Sequence, residues 1–351
     1  MTAALRGAGL LPRGEVTQVS LASPEEEGNA GSALRAQLCY SGDAPAGAPA
    51  TLIVKLPPDA PGRRAAMLAT GFVRAEAGFY RDLQPRVPIR TPRCYLAQDD
   101  DEGNAVLLLE DLGDVPGSWP ARRLDAAHAR SMFARLAELH AHFWNDEQLV
   151  SHRWLQPPTA RVDFWRSALS EIVELLHDVV DGTVPPQITA LREIIVPRLT
   201  AIAAHLDGPP FTLVHGDFTF RNAALLDGEP VAFDWQLCQR MRGARDVAYL
   251  MPFLDLTDDP GVRPDELVNG YHDALVARGV HDYTRAELAY DQTLAAIEVM
   301  QVGLATLWPS LRSLRAEGRR IPLAKLGLVQ TVAVGIERLG LIELVRSDFS
   351  A

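Results

Sequence analysis

The stretch His215-Gly216-Asp217-Phe218-Thr219-Phe220-Arg221-Asn222, followed after a short apolar run by Val231-Ala232-Phe233-Asp234-Trp235, decides how this chain is read. It sets three oxygen-bearing side chains, Asp217, Asn222 and Asp234, at the edges of short apolar segments, where a chain does not bury such groups without partners. Phe211 to Val214 reads as a short strand delivering His215. Leu225 to Phe233 reads as a hairpin turning at Asp227-Gly228. A hairpin there brings Asn222, before it, and Asp234, after it, close together, with Asp217 within reach of both.

Working upstream, Glu15 to Leu21, Ala33 to Tyr40 and Thr51 to Leu56 are β-compatible runs separated by Gly, Pro, Ser and Asp, which predicts an antiparallel sheet. In the third run, period-2 alternation puts Lys55 on the same face as Ile53. Residues 71 to 83 show helical spacing, with Phe72, Phe79, Tyr80 and Leu83 on one face and Glu76 inside that apolar stripe. A buried acid needs a partner, and Lys55 is the cation available on the preceding strand. Ala105 to Leu109 reads as a further strand running into Glu110-Asp111-Leu112-Gly113, so residues 106 to 117 suit a connection between lobes whose backbone can hydrogen-bond a flat ligand. Between the first two strands, Gly28 and Gly31 can let backbone amides approach a phosphate, although Glu25, Glu26 and Glu27 beside them would repel one.

Downstream, the spacing predicts helices over 124–144 with Asp125 as N-cap, and over 161–180, 188–206, 264–279, 284–305, 308–316 and 323–345. His140 and His142 are two residues apart and point in different directions on a helix, so they do not chelate together. His140 is read as a core histidine tied by hydrogen bonds. The fold class expected is α+β, with a small antiparallel sheet lobe carrying one main helix over residues 1–112 and a larger, mostly helical lobe over 113–351.

The chain has 351 residues, 47% of them apolar, with no run approaching the ~18 apolar residues of a membrane span. Its net charge of −11 argues against a nucleic-acid partner, which would require clustered Lys and Arg. The pairs Arg63-Arg64, Arg122-Arg123 and Arg319-Arg320 read as solvated faces, whereas Arg240 to Arg245 lies just after the central motif. Three widely spaced cysteines, Cys39, Cys94 and Cys238, and an N-terminus without a secretory pattern suit a reducing, cytoplasmic setting.

The chemistry that wants a carboxylate, an amide oxygen and a second carboxylate beside a held lysine is phosphoryl transfer. His215-Gly216-Asp217, Asn222 five residues after the aspartate, and Phe233-Asp234-Trp235-Gln236 resemble the catalytic and metal-binding loops of the aminoglycoside phosphotransferase and choline kinase superfamily, relatives of the protein kinases. The Asp-Trp-Gln ending and Glu110-Asp111-Leu112 most resemble the ecdysteroid-kinase-like branch, and the likeness spans about residues 30 to 250. The resemblance implies a bilobal protein-kinase-like fold and an ATP- and Mg2+-dependent transfer to a hydroxyl of a small molecule resembling an aminoglycoside, choline or a steroid alcohol. It implies that Asp217 is the catalytic base and that His215 supports its loop. Asn222 and Asp234 would bind Mg2+, Lys55 fixed by Glu76 would contact the α- and β-phosphates, the backbone from Leu109 through Glu110 to Leu112 would receive adenine, and Asp246 would brace the second lobe.

Many relatives carry His or Trp two residues after the aspartate and Pro or Gly before the asparagine. This chain has Thr219 and Arg221, departures that bear on the acceptor rather than on the transfer. The acceptor is expected between the central loop and the later helices, which contain Tyr271, Tyr290 and Trp308. Two other readings stand beside this one. An inactive kinase-like binding module would keep the loops without turnover. A metal-dependent hydrolase using His215, Asp217 and Asp234 would leave Lys55 and Glu76 without a role. No membrane partner is expected, and the assembly is a monomer or a homodimer.

Overall fold

Alternation in the third predicted strand sets the layering of the N-terminal lobe. A computed structural model describes residues 1–22, 32–57, 71–100, 102, 104–113, 125–226, 229–254 and 259–350. Its five-stranded antiparallel sheet comprises β1 (Val16–Ala22), β2 (Ser32–Tyr40), β3 (Thr51–Leu56), β4 (Cys94–Asp99) and β5 (Ala105–Glu110), in the order β1-β2-β3-β5-β4. Leu52 and Val54 of β3 join Leu108 of β5 in a core on one face, closed by Leu5 of the short helix α1 (Thr2–Gly7) and by Leu11. Ile53 and its β5 partner Leu109 face the other way, with Leu107 opposite Lys55, so Lys55 points to the face covered by helix α2 (Phe72–Gly78). The strand β4 was not expected from the sequence. It pairs with β5 and places β5 in the sheet interior.

α2 runs on through a π-helical turn, Phe79–Leu83, so the two together span the predicted helix. Its seat is close: a side chain at Gly78 would meet the ring of Trp154 at 2.2 Å. Phe79 in turn stacks on Trp235 with ring centroids 3.8 Å apart and planes 7° apart. One hydrophobic core thus runs from α2 and the inner sheet face into the C-terminal lobe.

That lobe contains α3 (Ala126–His142), α4 (Gln148–Ser151), α5 (Val162–Val179), α6 (Pro186–Ala190) continuing through a π turn into α7 (Val196–Asp207), α8 (Ala244–Leu254), α9 (Pro264–Val276), α10 (Arg285–Ala305), α11 (Trp308–Ala316), α12 (Gly327–Arg338) and α13 (Leu341–Asp348). Asp125 caps α3 by accepting from the backbone N–H of His128. A second core, wholly helical at its centre, packs Leu169, Ile172 and Leu176 of α5 against Leu199 of α7, Leu294 of α10 and Val329 of α12.

Two predicted features differ. The helix expected over 323–345 is broken into a 3-10 turn at Leu323–Lys325, α12 and α13, because Gly340 turns left-handed at φ +58° and ends the periodic run. Helix α8, unannounced in the sequence, begins immediately after Gly243 and carries Asp246 in its first turn. Gly28, Gly31 and residues 114–117 of the expected connection lie outside the described residues. Among the described residues no single helix is long and apolar enough to cross a membrane.

Candidate active site

Three elements meet at Lys55. Its ammonium donates to Glu76 Oε1 at 2.6 Å and to Asp234 Oδ1 at 2.7 Å, so β3, α2 and the segment after the hairpin are joined through one cation. Burial alone would lower the lysine pKa, but Asp234 and then Glu76 hold it above its ordinary value. Glu76 is only 5% exposed, and burial raises its carboxyl pKa against the pull of Lys55. The backbone N–H of Trp235 also reaches Glu76.

Asp234 is one of two non-glycine residues with positive φ among those described, at φ 65° and ψ 62°. A left-handed aspartate stores strain that the surroundings must sustain. Here the stacked Trp235 and the Lys55 bridge fix it from both sides.

The loop carrying Asp217 follows β6 (Thr212–Val214), which pairs antiparallel with β9 (Gln239–Met241). Gly216 adopts φ +87°, and a side chain there would sit 2.1 Å from the Leu237 carbonyl oxygen, so only glycine fits the turn. The buried carboxylate of Asp246 accepts from the backbone N–H groups of His215 at 2.7 Å and Gly216 at 2.8 Å. His140 joins the same carboxylate through Nε2 at 3.2 Å and reaches the Tyr271 hydroxyl through Nδ1 at 2.8 Å, which makes it the hydrogen-bonded core histidine expected. Burial would raise the Asp246 pKa, but the hydrogen bond and charge from His140 hold it below the usual carboxylate range.

His215 is fully buried. Its Nδ1 accepts from the backbone N–H of Asp217, and its Nε2 donates to the Phe233 carbonyl at 3.0 Å. Burial lowers its pKa to about 4, so the ring is a neutral strut between the two loops rather than a proton donor. Asn222 is drawn in from both sides. Its carbonyl accepts from the Phe233 N–H at 2.9 Å, and its Nδ2 donates to the Asp217 carbonyl at 3.2 Å. The strands β7 (Ala223–Leu226) and β8 (Glu229–Ala232) pair as predicted, and the Asp227-Gly228 turn itself lies outside the described residues.

Asp217 is partly exposed at the mouth of this loop, and its carboxyl pKa is pushed up to about 7, by burial first and then by the charge of Asp234. Hydrogen bonds from Tyr249 and Asn222 act in the opposite direction. A carboxyl poised near neutrality can take a proton from a hydroxyl.

Asn222 and Asp234 also meet the requirements of a divalent cation. Magnesium is commonly held by one or two protein oxygens, with water and phosphate completing its shell. With its amide nitrogen committed to the Asp217 carbonyl, Asn222 keeps its amide oxygen for that purpose, and Asp234 retains Oδ2 beyond the Lys55 contact, 3.4 Å from Gln236 Nε2. Among the described residues no group of three or more His, Cys, Asp or Glu side chains forms a separate metal cage.

Glu110 closes β5 by accepting from the Arg93 N–H at 3.0 Å, and Leu112 is half-buried just beyond it. Asp111 pairs with Arg35 at 2.8 Å. Thr219 is buried, and its hydroxyl accepts from the Arg221 N–H, so it shapes the loop from within, whereas Arg221 is exposed.

The aromatic residues of the later helices have partners of their own. Tyr271 is fully buried against His140, the Tyr290 hydroxyl donates to Asp348 at 2.8 Å, and Trp308 lies under the Arg312 guanidinium. Tyr249 and Arg245 stand beside Asp217, and Glu298 and Arg161 lie behind them, near Arg245. Arg245 is fully buried, with its guanidinium 4.8 Å over the Tyr249 ring and 3.9 Å from Glu298. Only the cluster Arg240 to Arg245 signalled any of this in the sequence. Arg161, Tyr249 and Glu298 come from separate helical segments that look ordinary one at a time.

Comparison with known proteins identifies the family and the fold. The sequence profile of the ecdysteroid kinase-like family matches residues 26–280. No curated protein matches the chain. A protein from Ralstonia eutropha JMP134, provisionally named an aminoglycoside phosphotransferase, superposes with a TM-score of 0.59 at 12% identity, covering 99% of this chain and 98% of its own. A choline kinase from Streptococcus pneumoniae superposes with a TM-score of 0.52 at 13% identity, covering 92% and 95%. An ethanolamine kinase from Plasmodium vivax does so at 0.50 and 10%, covering 94% and 83%. At such identities the likeness is one of fold, and function must be argued from the site.

Proposed function

Because the chain belongs to the ecdysteroid kinase-like family, we propose that it moves the γ-phosphate of ATP, with Mg2+, to a hydroxyl of a small molecule. The observation that carries this reading is the convergence on Asp234. Lys55 reaches both Glu76 and Asp234 within 2.7 Å, while Asn222 bonds back to the backbone of Asp217. A hydrolase needs neither Lys55 nor Glu76; a nucleotide kinase needs both.

On this reading Lys55 keeps its charge and its direction through Glu76, and presents an ammonium to the phosphates. Asn222 and Asp234 are the two residues that would hold magnesium, which when bound neutralises phosphate oxygens. Asp217 accepts the proton of the acceptor hydroxyl as the new O–P bond forms and the bond from the γ-phosphorus to the ADP oxygen breaks. His215 and Asp246 keep the loop in place, and Leu109 to Leu112 offer backbone groups to the adenine.

The test is ADP formation from Mg-ATP over a panel of hydroxylated acceptors that includes aminoglycosides, choline, macrolides and steroid alcohols, run with the wild-type chain and Asp217→Asn. The substitution is expected to lower turnover by about 10²- to 10⁴-fold while Mg-ATP affinity stays within about threefold. Turnover unchanged in Asp217→Asn would remove the base assignment. Mg-ATP binding with no turnover on any acceptor would favour the inactive binding module.

A further inference from the structure

The helical side of Asp217 is organised by a single element. In α8, Arg245, Asp246 and Tyr249 stand at positions i, i+1 and i+4, so Arg245 and Tyr249 share a face. Asp246 accepts both backbone N–H groups that precede Asp217. Arg245 donates Nη1 to the Gly216 carbonyl and covers the Tyr249 ring. The Tyr249 hydroxyl, on a side chain that is only partly exposed, donates to the Asp217 carboxylate itself. One helix therefore grips the loop at its amides, at its carbonyl and at the reacting side chain.

We propose that Tyr249 is a positioning residue for phosphoryl transfer, holding one carboxylate oxygen of Asp217 so that the other faces the acceptor hydroxyl. The inference rests on the reading of Asp217 as base. An ionised carboxylate accepts at two oxygens, and free rotation about its last bond would spread those acceptors over many directions. A donor fixed to one oxygen removes that freedom. A phenol suits the task better than water, because its ring is clamped by Arg245 and its origin is set by a helix that already holds the loop backbone. What Tyr249 supplies is orientation, the component of catalysis most sensitive to small displacements.

Tyr249→Phe keeps the ring under Arg245 and removes only the donor. Turnover of Mg-ATP with the most active acceptor of the panel is expected to fall about ten- to a hundredfold. Mg-ATP affinity by calorimetry and the KM for the acceptor should stay within about twofold, and Tm within a few degrees. A merely structural tyrosine would lower turnover in every background. A positioning tyrosine acts through Asp217, so in Asp217→Asn the further change Tyr249→Phe should leave the residual rate within about twofold. Wild-type turnover in Tyr249→Phe, or an equal loss in both backgrounds, overturns the proposal. Full activity in Asp217→Asn alone would instead bring down the base reading beneath it.

Discussion

Toward the sheet, the charged groups around Asp234 are all paired: Lys55 lies within 2.7 Å of both carboxylates, and Glu76 takes a backbone N–H as well. Toward α5, α8 and α10 they do not. Arg161 Nη2, Arg245 Nε and Nη2, and Gln239 Oε1 are buried without a protein hydrogen-bond partner among the described residues. Glu298 stays 3.9 Å from Arg245 Nε, and burial raises its carboxyl pKa. Buried polar atoms in folded proteins are met by the chain, by ordered water or by a bound molecule. On the sheet side the chain itself meets Lys55, Glu76 and Asp234 and leaves over the Tyr80 hydroxyl beside them, which on the proposed reading suits a site whose ligand is always the same kind of phosphate chain. On the helical side the chain leaves polar atoms over, which on the proposed reading suits the side where acceptors of different shape are told apart.

The largest effect that could break this comparison comes from Lys55→Met. It strands Glu76 and Asp234 beside each other, and removing one partner of a buried ion pair costs about 3 to 5 kcal/mol. Glu76, already raised by burial, then rises further and is folded most readily in its protonated form. The loss of Tm should therefore be small at pH 5 and grow as the pH is raised, with Mg-ATP affinity lost throughout. Adding Glu76→Gln should restore most of the Tm at pH 8 and none of the turnover. A Lys55→Met protein as stable as wild type at pH 8 would show that the sheet side does not depend on its charges.

Asp217 sits between the two sides and gives the next effect. Its pKa of about 7 in the folded chain lies above the ordinary carboxylate value, so the stability it contributes is complete at low pH and is lost as the pH rises through 7. Asn is neutral at every pH. In metal- and nucleotide-free protein, Asp217→Asn should therefore raise Tm by a few degrees at pH 8.5 and by much less at pH 5. The same substitution that slows transfer would then stabilise the fold. A Tm lowered at pH 8.5 would place the ionised carboxylate among the stabilising groups and erase its intermediate standing.

The same division explains what could be read without coordinates. Lys55 and Glu76 were legible because each breaks a local pattern, a cation in an alternating apolar strand and an acid in an apolar helical stripe. Asp217, Asn222 and Asp234 were legible because they fall within eighteen positions of one another along the chain. Arg161, Arg245 and Glu298 break no pattern, since arginine and glutamate on helices are ordinarily solvated, and only packing of α5, α8 and α10 buries them. Helix α8 itself was hidden by Gly243 at its start and Pro252 inside it, which interrupt the run a helix reading needs. The terminal helix was overdrawn for the opposite reason, because apolar spacing continues past Gly340 while the backbone does not. Among the aromatic residues of the late helices, Tyr271 carries the composition of a binding residue and the position of a core one.

Arg161→Met should have the smallest effect, and its smallness is informative. Arg161 is 4% exposed, its Nη2 meets no protein acceptor among the described residues, and its Nε reaches Gln156 only at 3.4 Å. Burial lowers its pKa to about 10, with Glu298 pulling the other way. Replacing a poorly satisfied buried cation by an apolar side chain of similar length relieves an unmet donor and keeps the packing on Phe72, 4.9 Å below the guanidinium. Against this, Glu298 loses one of two nearby positive charges and keeps Arg245. The two terms nearly cancel, so Tm should move by less than about 3 °C, where Lys55→Met at pH 8 loses far more. Mg-ATP affinity should be unchanged, and the order of preference among acceptors in the panel should shift. If Arg161→Met instead destabilised the fold as strongly as Lys55→Met, the two sides of Asp217 would be held by charge in the same way, and the unpaired donors would have to be counted as structure.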